Sequence, residues 1–397
     1  MSFNTIYIIL NQDRYRYYSY HQYAVDQDAI VCFYDSAGRL PDRSDTSDNV
    51  VLIQSARDLT LNYITEQLTN MINSYSAVRV VCTEENYFLL AAQLREFYGS
   101  VGLDLKTSKF FRDKLYMKSK VSDMGFRVPK HCSIYSGLSY ADIEKYLRCT
   151  DFIIKPISGH GARNTYHIAS ERQFNDLDIS NPHEYEAEEY IDGELYHIDS
   201  VMVNGIILYS QSFEYSYPCI EYKKGKVISS IELDDTSALS EALSRYNLEI
   251  LSAIGGTHVT HLEVFVKDGD IIFLEIAGRP PGGGLVPLHR ITHGIDLANI
   301  AMRFQMDPYY VPSIANQRLK YGTYFMVPKP NIKTIKTVSV PLFKSSIEIS
   351  YINLEAGDSS QVADSVSQNG AFYLVSSERK ENVRDDFLMF KTHKMFI

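Results

Sequence analysis

The segment IIFLEIAGRPPGGG, Ile271 to Gly284, ends an apolar run on a carboxylate, Glu275, then continues with Arg279, two prolines and three glycines. A carboxylate, a guanidinium and nearly bare backbone can bind a divalent cation, neutralise a transferred phosphoryl group and approach an oxyanion closely. The same letters also describe an ordinary strand followed by a turn. A second glutamate, Glu263, lies in THLEVFVKDG, and the turn-forming pair Asp268-Gly269 separates the two runs. With a hairpin there, Glu263 and Glu275 stand on opposing strands at similar distances from the turn. Two adjacent carboxylates repel unless something compensates, and a magnesium ion with phosphate and water ligands is the simplest compensation. The competing reading is two glutamates at a solvated strand edge.

Two further stretches carry phosphate and base chemistry. In FIIKPISGHGAR, Lys155 closes an apolar strand ahead of Pro156 and the loop Ser158-Gly159-His160-Gly161. An ammonium beside loop N–H donors can cradle phosphate, although a surface hairpin with a solvated lysine reads the same way. In EAEEYIDGELYHID, a strand with Glu188 and Glu189 runs into Tyr190, Ile191 and Gly193. Its main-chain groups can meet an adenine edge, and acidic or imidazole groups just beyond can accept ribose hydroxyls. An acidic edge strand is the alternative. A metal hydrolase built on His258, His261 and Glu263 is disfavoured, because i, i+3 and i+5 do not share one strand face and HExxH is absent.

These residues need elements to position them. Ile6 to Leu10, Ala29 to Tyr34, Val50 to Gln54 and Val78 to Cys82 are β-branched runs, with helix-like stretches at Leu59 to Ser74 and Asn86 to Tyr98. That alternation predicts a small parallel α/β domain over the first hundred residues. It contains neither GxGxxG nor GxxxxGKS/T, which removes the dinucleotide and P-loop readings. From Lys106 to Leu147 the pattern is helical, and after Asp151 it is strand-rich, broken by a helix over Ser237 to Ile254. The stretch from about Lys320 to Ile397 mixes short strands and turns.

With 397 residues and 45% hydrophobic content the chain can bury a large core. Its net charge of −10 argues against general binding to nucleic acid backbones. MSFNTIYIILNQDRY lacks the basic flank and long apolar core of a secretory signal, and no apolar run approaches a membrane span. The five cysteines form no CxxC pair and suit a reducing compartment. The expectation is therefore a cytoplasmic protein with neither a nucleic acid nor a membrane partner.

Order and spacing add what single motifs lack. Asp113-Lys114…Lys118, Lys155-Pro156 with its glycine loop, Glu188 to Gly193, Glu263, and Glu275-x-x-x-Arg279 follow one another. This string resembles the ATP-grasp superfamily, and within it the carboxylate–amine ligases of the bacilysin-type L-amino-acid (dipeptide) ligase group. The resemblance runs to about Arg303. DKLYMKSKVSDMGFRVPKH is similar to the family's helix-to-strand entry, and LEIAGRPPGGG to its magnesium and acyl-phosphate segment.

The resemblance implies a mixed α/β and α+β fold. An N-terminal α/β domain (1–106) would precede a small ATP-grasp subdomain (107–185) and a large one with a strand-rich C-terminal extension (186–397). It implies ATP and Mg2+ (or Mn2+) as cofactors. Lys114 and Lys155 would contact the nucleotide phosphates, with the Ser158 to Ala162 loop, Gly159 and Gly161 included, closing over them. Glu188, Glu189, Tyr190 and Ile191 would hold adenine, and Glu263 and Glu275 the metal. Arg279 would neutralise the transferred phosphoryl group and the substrate carboxylate, beside the amides of Gly282, Gly283 and Gly284. Two positions depart from the family pattern. Ala277 replaces a common asparagine ligand, and Leu195 replaces a common ribose-binding glutamate, leaving Glu194 or His197 for the ribose. Glu214, Glu221, His289 and Arg290 are candidates to line the substrate pocket.

The implied activity joins a carboxylate, expected to be an amino acid, to an amine through an acyl phosphate, releasing ADP and phosphate. Another ATP-grasp reaction, a carboxylase or purine-pathway ligase, and a non-catalytic ATP-binding regulatory protein stay open. Dimerisation is usual for the family, so a homodimer is an open expectation.

Overall fold

Four short runs rich in valine and isoleucine, β1 (Thr5–Leu10), β2 (Ala29–Tyr34), β3 (Val50–Gln54) and β4 (Ala77–Cys82), pair in parallel in the order β3-β2-β1-β4. Every residue of β2 is buried, as expected where both faces of a parallel sheet are covered. Helices Leu61–Leu68 and Phe88–Tyr98 cover one face, and Ala298, Met302 and Met306 of helix Leu297–Met306 cover the other. The first helix is shorter than the sequence suggests. The Thr60 side chain caps it, and beyond Leu68 the chain tightens into the 3₁₀ turn Ile72–Ser74. The computed structural model describes residues 4–10, 18–42, 46, 48–234, 236–315, 317–363, 365 and 368–397.

A second, antiparallel sheet is built from β5 (His131–Ser133), β6 (Phe152–Pro156), β7 (Tyr166–Ile168) and β8 (Tyr185–Glu189), in the order β5-β8-β6-β7. Residue 185 opens β8, so this sheet carries the chain on to Glu189. The third sheet has eight strands: β9 (Glu194–Val203), β10 (Ile206–Tyr215), β11 (Ile228–Glu232), β12 (His258–Lys267), β13 (Asp270–Ala277), β14 (Tyr321–Pro328), β15 (Ser346–Ile352) and β16 (Asn369–Ser377). Their order is β13-β12-β9-β10-β11-β14-β16-β15, so the C-terminal strands extend the same sheet. No helix among the described residues is long and apolar enough to cross a membrane.

Alternation along β9, β12 and β13 separates two faces. Tyr196, Ile198, Leu262, Val264, Phe273 and Ile276 point one way, into a core shared with helices Lys114–Asp123 and Ala238–Ile254 and with the parallel sheet. Leu195, Phe213 and Tyr215 point the other way, toward Leu285 and Leu288 of helix Leu285–His293. One side of the sheet is thus core, and the other is available for a site.

The β12–β13 hairpin turns at Asp268 and Gly269, whose φ values of 53° and 87° are left-handed. Counting back from that turn, Glu263 would meet Leu274 in a regular ladder. The register instead runs Val264↔Phe273 and then Glu263↔Glu275, so Leu274 is the extra residue of a bulge. The bulge is what sets the two glutamates opposite each other. Replacing Gly269 with valine forces a β-branched residue into left-handed backbone, at a cost of about 1–2 kcal/mol. The expected result is a lower urea midpoint with an unchanged slope.

Candidate active site

Asp113 caps helix Lys114–Asp123 by accepting a hydrogen bond from the Tyr116 amide at 3.0 Å, which makes Lys114 the first helical residue. One turn later on the same face comes Lys118, completely buried. On β6, Phe152 and Ile154 enter the small-sheet core, so alternation sends Ile153 and Lys155 to the opposite side. Glu186 and Glu188 of the adjacent β8 share that side. The Lys118 ammonium lies 2.5 Å from Glu186 and 2.7 Å from Glu188, and the Lys155 ammonium lies 2.5 Å from Glu188. Burial alone would raise the Glu188 pKa, but the Lys118 and Lys155 charges outweigh it and hold the carboxyl at about 2.

Above this quartet opens a cleft with about 830 Å³ of empty space. Ile153, Ile191, Leu195, Phe265 and Leu274 make an apolar slot, and Lys114, Lys155, Glu263 and Glu275 form its polar end. Glu188, Glu189 and Tyr190 line the wall, as do Gly159, His160, Gly161 and Ala162. Gly161 and Ala162 both have left-handed backbone. Arg112 donates to the Ser158 carbonyl at 2.6 Å and Lys114 to the Gly159 carbonyl at 2.7 Å, so two cations pin the loop. Tyr190 stacks on His167 with ring centroids 4.1 Å apart.

Glu263 and Glu275 face each other at the polar end. Tyr215 donates to Glu263 Oε1 at 2.9 Å, and His261 Nε2 lies 3.4 Å from that atom. Lys114 pairs with Glu275 at 3.0 Å. Burial opposes the charged form of Glu275, but Lys114 and Lys155 overcome it and hold the carboxyl at about 2. Two facing carboxylates at the polar end of a cleft are a hard-oxygen donor set that fits a divalent cation.

Arg279 lies behind the polar end of the cleft, close enough for its charge to help hold the Glu275 carboxyl down. Its Nε donates to Glu85 Oε2 at 2.7 Å, and Arg112 approaches the other oxygen of Glu85 at 3.4 Å. Glu85, supplied by the parallel domain, therefore aims a guanidinium of the central sheet. The three glycines differ in what requires them. Gly283 has φ of 61°, and a Cβ on Gly284 would lie 2.6 Å from Tyr324, whereas a Cβ on Gly282 would meet nothing within 4 Å.

Several expected positions lie elsewhere. His197 is fully buried, paired with Ser230 and Asp199, and does not reach the cleft. Glu194 is exposed and accepts from the Tyr196 hydroxyl at 2.7 Å. His289 is also fully buried, between Asp199 and Tyr209. Glu214 pairs with Lys391, Glu221 with Lys224 and Arg290 with Asp296, none of them at the cleft. The strand period explains the imidazole. Leu195, His197 and Asp199 share a face, and the cleft ends at Leu195. Conversely Glu85, Arg112 and Glu186 escaped sequence reasoning, and Lys118 stood in the motif string without a role, since each is a charged residue whose partner lies far along the chain.

The buried quartet makes a measurable contribution. Glu188→Gln should lower stability at neutral pH by about 3 kcal/mol, because it leaves buried ammonium groups short of a partner. A depressed carboxyl stabilises the fold above its unfolded pKa, and that contribution disappears as pH falls toward the folded value. Wild type should therefore lose stability between pH about 4.5 and about 2, with a flatter curve for the variant. Urea titrations across that range check this.

No family model matches the chain. Its sequence is 25% identical over 298 residues to the L-arginine-specific L-amino acid ligase of Bacillus subtilis, spanning 72% of this chain and 70% of that protein. Its fold matches the crystal structure of an L-amino acid ligase from Bacillus licheniformis with a TM-score of 0.72 and 14% identity, over 100% of this chain and 99% of that one. A carboxyaminoimidazole ribonucleotide synthase from Aspergillus clavatus, complexed with ATP, matches with a TM-score of 0.68 and 11% identity over 98% of each chain. The chain thus has the fold of the ATP-grasp ligases and is similar in sequence to an amino-acid ligase.

Proposed function

We propose that this ligase joins the carboxylate of an amino acid to an amine, using ATP and passing through an acyl phosphate. The observation that carries the proposal is the cleft with an apolar slot at one end and Lys114, Lys155, Glu263 and Glu275 at the other. The sequence likeness to an amino-acid ligase supports the choice of substrate class.

In this reading adenine occupies the slot between Ile153, Ile191, Leu195 and Leu274, and the phosphates extend toward Lys114 and Lys155. The substrate carboxylate oxygen bonds to the γ-phosphorus as the bond to the β,γ-bridging oxygen breaks, giving ADP and an acyl phosphate. The amine nitrogen then attacks the acyl carbon, inorganic phosphate leaves with its bonding pair, and nitrogen gives up a proton. No protein nucleophile is needed, so the side chains work by placement and charge neutralisation. Lys155 and Lys114 offset phosphate charge, and the Ser158 to Ala162 loop, pinned by Arg112, excludes water. Arg279, held by Glu85, offsets charge at the transferred group. The open approach at Gly282 suits the acyl carbon, while Gly283 and Gly284 shape the turn. Glu263 and Glu275 are the residues that would hold magnesium or manganese, which when bound neutralises phosphate oxygens. We also place the protein in the cytoplasm, where the five free cysteines would stay reduced.

ADP release measured against pairs of common amino acids, with mass spectrometry of the product, tests the reaction. An amide product that needs both partners is expected. Release driven by bicarbonate without an amine would establish the carboxylase-type reading, which the likeness to the ribonucleotide synthase keeps in view. Nucleotide binding with no ADP formed across the panel would leave a regulatory role. Arg279→Ala should reduce kcat by about 100-fold or more while changing ATP affinity little; ligation at the wild-type rate would remove Arg279 from the mechanism.

A further inference from the structure

Behind the polar end of the cleft lies a carboxylate that the proposed chemistry does not use. Asp199, in the middle of β9, is fully buried and surrounded by three imidazoles. Its Oδ1 is 2.6 Å from His261 Nδ1, and its Oδ2 is 2.8 Å from His289 Nε2 and 3.2 Å from His197 Nδ1. Asp199 and His261 are directly paired across β9 and β12, so their closeness follows from the strand register. His289 reaches in from helix Leu285–His293, whose N-cap is Gly284.

Each imidazole uses its second nitrogen elsewhere. His261 Nε2 lies 3.4 Å from Glu263, His289 Nδ1 lies 2.8 Å from the Tyr209 hydroxyl, and His197 Nε2 lies 2.6 Å from the Ser230 hydroxyl. A ring anchored at one nitrogen presents the other in a fixed direction, and groups behind a ligating side chain set its orientation in this way. The chain of contacts from Glu263 through His261 and Asp199 to His289 therefore joins the carboxylate end of the cleft to the helix that carries the glycine turn.

We infer that Asp199 is a positioning residue for both ends of the site, aiming Glu263 through His261 and fixing the Gly282–Gly284 turn through His289. This rests on the ligase reading, which takes Glu263 as a metal ligand and the turn as the acyl site. Two separable consequences follow. Loss of the His261 link should weaken divalent-cation binding and spare recognition of the amino acid. Loss of the His289 link should do the reverse.

The test uses the full chain, with Mn2+ binding followed by electron paramagnetic resonance in the presence of ADP, KM for the amino-acid substrate, and thermal melting. Asp199→Asn should weaken Mn2+ binding about 10-fold or more and raise KM. His261→Asn, which keeps a donor toward Asp199 but loses the reach to Glu263, should weaken Mn2+ binding alone. His289→Leu should raise KM alone, with His289→Gln restoring it through an amide that replaces Nε2. Should Asp199→Asn not fold, the other variants decide, and effects confined to melting temperature overturn the inference. Wild-type Mn2+ affinity and KM in a folded Asp199→Asn protein also overturn it. So does stoichiometric zinc retained after chelation, since His197, Asp199 and His261 lie within 4.8 Å of one another and would then be ligands. Glu263→Gln separates the two levels. If it loses Mn2+ binding while Asp199→Asn keeps it, the positioning role alone fails; if it binds Mn2+ normally, the assignment of Glu263 fails and takes this inference with it.

Discussion

Opposed carboxylates are the constraint from which the rest of the site follows. Glu263 and Glu275 face each other across neighbouring strands, and like charges at such close range persist only with cations nearby. The structure supplies them in layers. Lys114 sits against Glu275, Lys118 and Lys155 against Glu186 and Glu188, and Arg112 and Arg279 against Glu85. These five cations offset the five glutamates named, and Arg163 and Glu189, which also line the cleft, add one charge of each sign. In the proposed reading, a polyanionic nucleotide entering such a site would find little surplus positive charge, a physical reason for it to arrive with a divalent cation.

The two-faced central sheet makes that arrangement compatible with folding. One face is closed by a core that runs without interruption from the parallel sheet to β13, so the two sheets are fused through apolar side chains. Fusion of this kind allows Glu85 to serve Arg279, although 194 residues separate them. The other face carries the cleft, and its polar groups are matched in the tertiary structure instead of by local sequence.

That difference explains how much was legible beforehand. The parallel strands, the helix over Ala238–Ile254 and the Asp268-Gly269 hairpin are local patterns, and the structure has all three. Lys155, Glu263 and Glu275 stood out because each sits at a recognisable junction, a strand end or a hairpin, whereas Lys114 entered only through the resemblance to a known family. Glu85 and Asp199 did not stand out, and Lys118 was seen without its role, because a buried charge looks like a solvated one until its partner is known, and theirs come from remote segments. His197 and His289 were visible as imidazoles, but strand period and helix packing turned them inward. The glycines illustrate a subtler limit. A run of three suggests one common purpose, yet left-handed backbone, a tyrosine ring and open space account for them separately.

The extra residue at Leu274 has a consequence for how the hairpin can vary over time. Side chains in β12 and β13 can be exchanged one at a time while the strands stay aligned. Length cannot drift so freely, because the turn at one end and the paired acids at the other are both anchored, and the bulge absorbs the odd residue between them. Descendants of this chain should therefore accept substitutions between Glu263 and Glu275 far more readily than single insertions or deletions, which must be compensated within the same hairpin.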